Sequence, residues 1–172
     1  MSLPQYLLRP KVRQHLIFCV CLVLLAIALP FAYQTWQRGQ VLLHQGQKAL
    51  AAENYAQAAT YLERAHRAGL DSVRLLHQLA QANVQIDRWD QAEEVYRKIV
   101  HNNPDKLEFQ LELAQVLFVR GHLQQAMQRV ESILAQRPKW SQALYLKGKI
   151  YTSAGDFEAA IAVYRKILGE TT

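Results

Sequence analysis

Small and large apolar residues recur along most of this chain at a fixed interval of 34 residues. Ala58, Ala92, Ala126 and Ala160 are one such column, and Leu62, Tyr96, Val130 and Tyr164 are a second. Gly46, Ala80, Ala114 and Gly148 form a third; Tyr55, Trp89, Leu123 and Phe157 a fourth; Ala65, Ile99, Ile133 and Ile167 a fifth. Columns kept small or apolar through four copies predict a repeat protein. Within each copy the large residues three before and four after the alanine share one face of a helix, as the helical period requires. The missing side chains in the glycine/alanine columns let paired helices approach closely. Turn residues separate the two helices of each unit at Glu53–Asn54, Asp87–Arg88, Arg120–Gly121 and Gly155–Asp156. Pro104 and Pro138 mark the handover to the next unit, because proline cannot continue a helix. The expected fold is therefore all-α, with four helix-turn-helix units at about 39–72, 73–106, 107–140 and 141–172.

Ahead of the repeats the pattern changes. Leu16 to Tyr33 carries no charge over 18 residues, and at about 1.5 Å per residue it reaches roughly 27 Å, close to the hydrocarbon thickness of a bilayer. Arg9, Lys11 and Arg13 flank its near end, and Phe31, Tyr33 and Trp36 its far end. This is the arrangement of a single-pass anchor whose basic side stays in the cytoplasm. The expected organisation is a basic cytoplasmic N-terminus (1–15), a transmembrane helix (16–36) and a repeat domain (39–172). A cleaved secretory signal is the competing expectation, because Ala26-Ile27-Ala28 has the small-x-small form of a processing site. Cys19 and Cys21 both lie inside the apolar run, which leaves the repeats without thiols for a disulfide or metal site.

The period, the small residues, the aromatic three before each alanine column and the terminal prolines resemble the tetratricopeptide repeat (TPR) family. Gly148, Tyr151, Gly155, Asp156, Phe157, Ala160 and Tyr164 in the fourth unit carry the likeness best. Ala80 and Ala114 stand where the family favours glycine, and Asn83 where it favours tyrosine. The resemblance implies a right-handed superhelix whose first helices line a concave, protein-binding face. Carried onto this chain, that face holds Leu43, Gln47 and Leu50; His77, Gln81 and Val84; Leu111, Gln115 and Phe118; and Tyr145, Lys149 and Thr152. It is a mostly neutral groove, suited to an apolar or amphipathic segment. The carboxylate-gripping pattern of co-chaperone members is not matched: Leu43, Gln47, Gln78, Glu108 and Glu112 occupy the corresponding positions, and two carboxylates would repel a ligand carboxylate. Ala159, Ala162 and Val163 make the last helix more apolar than earlier copies, which suggests a second contact surface.

Charge narrows the function further. The chain has 20 Lys+Arg against 14 Asp+Glu, and three of the basic residues precede residue 16. The repeats are thus nearly balanced and lack the basic stripe that nucleic acid requires. The six histidines form no i, i+4 pair with ligand spacing, and no glycine-rich phosphate loop occurs. No enzyme, cofactor, metal or small-molecule substrate is expected. The expected role is an inner-membrane scaffold or adaptor, its repeats in the periplasm, binding a segment of another envelope protein during assembly, maturation or secretion. Alternatives are a structural subunit of a membrane complex and, with a cleaved N-terminus, a soluble secreted binding module.

Overall fold

The computed structural model describes residues 10–169; inside the first helix, side-chain surroundings are described at 14, 17–24, 26, 29, 33, 34 and from 36 onward. The elements among the described residues are α1 (Pro10–Ala51), α2 (Tyr55–Arg67), α3 (Val73–Gln85), α4 (Trp89–Asn102), α5 (Leu107–Val119), α6 (Leu123–Gln136), α7 (Ser141–Ala154) and α8 (Phe157–Leu168). Each helix packs on the next in chain order, and α5 also touches α7. α1 runs 42 residues without a break, straight through the junction between the apolar run and the repeats. Among the described residues no helix is long and apolar enough to cross a membrane. Residues 1–9 and several side-chain positions within Leu16–Tyr33, on which the anchor expectation depends, lie outside the described residues.

The repeating columns occupy equivalent places between the helices. Ala58, Ala92 and Ala126 are fully buried and Ala160 is 3% exposed. Leu62, Tyr96 and Val130 are buried four residues later, as are Ala65, Ile99 and Ile133. The glycine column explains the spacing of each pair. A Cβ added to Gly46 would lie 2.8 Å from Leu62 Cγ, and one on Gly148 would run into the Tyr164 ring. At Ala80 and Ala114 a methyl is already present and fully buried. In α8 the same pattern has less to cover it: Phe157 is 63% exposed, whereas Tyr55, Trp89 and Leu123 are half-buried beneath a following unit.

A turn column aligns as well. Glu53, Asp87, Gly121 and Gly155, each 34 apart, all take a left-handed backbone with φ of 54°, 57°, 77° and 81°. Glycine adopts that conformation without steric cost, whereas Glu53 and Asp87 hold it at some strain. The residue that follows starts the second helix. Asn54 and Asp156 accept a hydrogen bond from the backbone N–H three residues on, at 3.2 and 3.1 Å. Arg88 and His122, in the same column with similar dihedrals, offer no side-chain cap. The middle units are tied together elsewhere: buried Glu93 on α4 accepts from Arg97 at 2.7 Å and from Arg120 at the α5–α6 turn.

Candidate functional site

α5 touches α7, and His77 on α3 meets Glu112 and Phe109 on α5, so side chains of successive first helices face one another. Between them opens a cavity of about 620 Å3 lined by residues from Leu50 on α1 to Lys149 on α7. A second space of about 610 Å3 continues it along α5 and α7, sharing Glu112, Gln115, Gln142 and Tyr145. Together they make one groove of roughly the size that encloses a peptide side chain or a small ligand.

Of the residues expected on the concave face, Leu50, Gln81, Val84, Gln115, Phe118, Tyr145 and Lys149 line the first cavity. Tyr145 is 57% exposed and meets Tyr164 at 6.1 Å between ring centres. The Lys149 ammonium sits 4.9 Å from the centre of Phe118 and 5.9 Å from that of Tyr145, held by two π faces. Among the described residues no carboxylate pairs with it.

The remaining expected residues sit differently. Leu111 is 4% exposed: it belongs to the core and only edges the second space. Leu43 packs, half-buried, against the core, and neither it nor Gln47 lines either space. Thr152 Oγ1 donates to the Gly148 carbonyl at 2.9 Å, within its own helix. His77 lines neither cavity and spends Nε2 on Glu112, 2.9 Å away, with its ring edge-on to Tyr96 and Phe109.

Glu112 lines both spaces and Glu108 the second; the resemblance puts both at ligand-facing positions, though not among the residues assigned to the concave face, and it leaves out Gln142, Tyr55, Trp89 and Tyr96. A signal was available for three of these. Glu112 and Gln142 stand one helical turn before Gln115 and Tyr145, at i−3, and Glu108 two turns before Gln115, at i−7. Tyr55, Trp89 and Tyr96 come from second helices, where the repeat pattern predicts packing residues. The electrostatics are local. Burial, with the Glu112 charge adding to it, raises the Tyr96 phenol well above its ordinary value. Its own backbone N–H in the first turn of α5, then Arg137 at 2.9 Å, hold Glu108 below the ordinary carboxylate value. Among the described residues no group of three His, Cys, Asp or Glu side chains is arranged to hold a metal ion.

Known proteins agree on the architecture. The crystal structure of YrrB, a TPR protein with an unusual peptide-binding site, superposes with a TM-score of 0.71 at 21% identity, covering 90% of this chain and 81% of that one. MamA from AMB-1 gives 0.67 at 22% identity, covering 76% and 72%. At these identities the likeness is one of fold. The cellulose synthase operon protein C of Pseudomonas fluorescens (strain SBW25) is 29% identical over 135 residues, which is 74% of this chain. The chain spans only 11% of that relative's length. A tetratricopeptide repeat model matches residues 49–106 and 93–150, and a second matches 141–170. With more than two thirds of its length under these matches, the chain belongs to the tetratricopeptide repeat family.

Proposed function

We propose that this chain is a membrane-anchored adaptor whose groove captures an apolar or amphipathic segment of another envelope protein during assembly, maturation or secretion. Tetratricopeptide arrays are protein-interaction scaffolds, and a groove with aromatic walls and amide-bearing side chains is the chemistry such a segment needs. The observation that carries this is the cavity that gathers Leu50, Val84, Phe118 and Tyr145 with Gln81 and Gln115. The peptide-binding site of YrrB, a structural neighbour, supports the same choice of ligand. Anchoring in the inner membrane, with the N-terminus cytoplasmic and the repeats periplasmic, is supported by the uncharged run from Leu16 to Tyr33 and its basic flank. The large apolar side chains described there, among them Phe18, Val23, Leu24 and Leu29, are 51–63% exposed on α1.

The groove is tested by site-specific photocrosslinking in native membranes. Benzoylphenylalanine at Tyr145 should give a discrete adduct with a second protein. The same group at Gln124, exposed on α6 and outside the cavity, should not. Equal labelling from both positions sinks the groove. Anchoring is tested separately, by resistance to alkaline carbonate and by intact mass. A mature protein shortened by about 28 residues identifies a cleaved signal.

A further inference from the structure

The groove contains a carboxylate short of partners. Glu112 is half-buried on α5, with 29% of its side chain exposed, and it borders both halves of the groove. His77 Nε2 lies 2.9 Å from one carboxylate oxygen and 2.8 Å from the other. The two oxygens share the single Nε2–H, and the second of them, shut from solvent, has no donor of its own. A carboxylate has about four acceptor sites, and this one uses a single donor. Glu108, the other carboxylate of the groove, is already met by Arg137. No lysine or arginine among the described residues reaches Glu112. His77 cannot follow it outward, because its ring is wedged edge-on between Tyr96 and Phe109.

Given the groove's role as a peptide site, on which this inference rests, we infer that Glu112 selects segments carrying a lysine or arginine among their apolar residues. The terminal torsion of a glutamate is soft, so a small rotation turns the unpaired oxygen into the cavity where a guanidinium or ammonium meets it. Glu112 is partly withdrawn from solvent, so a charge-assisted bond formed there discriminates more sharply than one at the open surface. Lys149, held against Phe118 and Tyr145, lines the first cavity as well and disfavours a second cation in the bound segment.

The test selects a phage-displayed random dodecapeptide library against the full chain in detergent micelles. Peptides whose binding is lost in Phe118→Ala and Tyr145→Ala are groove ligands. Those groove ligands should carry Lys or Arg at one position several-fold above its frequency in the library. Replacing that residue by Ala should weaken binding about tenfold to the wild type and not to Glu112→Gln, which keeps the shape and the His77 contact. Groove ligands without a basic preference, or an equal loss on both proteins, overturn the role of Glu112 while leaving the groove intact. Recovery of no groove-dependent peptide overturns the groove and this inference together.

Discussion

Gly46 and Gly148 occupy one column of the repeat, yet a methyl added at each should have opposite effects. Glycine in a helix interior costs about 1 kcal/mol relative to alanine, so either substitution starts with that gain. At Gly46 the new Cβ lands 2.8 Å from Leu62 Cγ and Cδ2. Cγ is a branch point, one bond from the Leu62 Cβ, and Leu62 has no exposed surface into which to turn. Overpacking of this kind costs about 1–3 kcal/mol, which leaves Gly46→Ala a net loss of about 1 kcal/mol. At Gly148 the collision is with the far side of the Tyr164 ring, on a half-buried residue of α8. The ring can swing clear by a small rotation. Ala80 faces Tyr96 in the same register of unit two with both residues buried, so the pair is sterically possible. Gly148→Ala should therefore be neutral or stabilise by up to about 1 kcal/mol. For the full chain in micelles, melting followed by circular dichroism at the helical band should show Tm falling by about 4 °C for Gly46→Ala, and unchanged or raised for Gly148→Ala. Equal shifts of the same sign would mean that the small column does not set the helix spacing.

Three further outcomes follow from the same comparisons between columns. Arg88→Asp supplies the cap that Asn54 and Asp156 already provide one unit before and two after, and should add about 1 kcal/mol in urea unfolding. Burial alone would raise the Glu93 carboxyl, but hydrogen bonds from Arg97 and Arg120 outweigh it and hold the group below its ordinary 4.5. Its contribution is therefore complete above that pH and is lost on acidification through the lower folded value. Glu93→Gln should cost about 1–2 kcal/mol at pH 7, with the difference from wild type closing below pH 4.5 in unfolding titrations. Leu111→Ala should cost about 2–4 kcal/mol because it empties a core position, whereas Tyr145→Ala should barely move the urea midpoint, since Tyr145 is 57% exposed.

The fold was legible because its determinants repeat. Four copies of a small residue opposite a large one leave a helical pair few ways to pack, and Ala58, Ala92, Ala126 and Ala160 duly lie between helices. The turn column was legible only in part. Gly121 and Gly155 announce a left-handed residue, but Glu53 and Asp87 reach the same φ with side chains that give no such notice, imposed by the packing of the helices on either side. The length of α1 was not legible at all. Nothing in the residues between Tyr33 and Gly39 breaks a helix, and the structure carries it through the junction.

The groove was harder to read, for the reason that made the fold easy. A repeat advertises what its units share, whereas a ligand is chosen by what they do not share. Leu43 and Leu111 hold equivalent columns, as do Gln47, Gln81 and Gln115, but the first helices do not meet a common ligand equally. The cavity draws on all four units, yet it takes in Gln81 and Gln115 and, from the first unit, Leu50 and Tyr55 but not Gln47. A column can be assigned to a face by period alone. Whether a leucine on that face, such as Leu111, sinks into the core depends on how far the neighbouring unit slides over it, which the period does not encode. Glu112 shows the limit most plainly. In the sequence it is one of two carboxylates, with Glu108 four residues earlier, that exclude an anionic ligand without showing which of them has a partner. Only the approach of His77 from the preceding unit, with Tyr96 and Phe109 pinning that ring, turns it into a charge with an oxygen left over. Specificity in such an array is written across the seam between units, where no single repeat contains it.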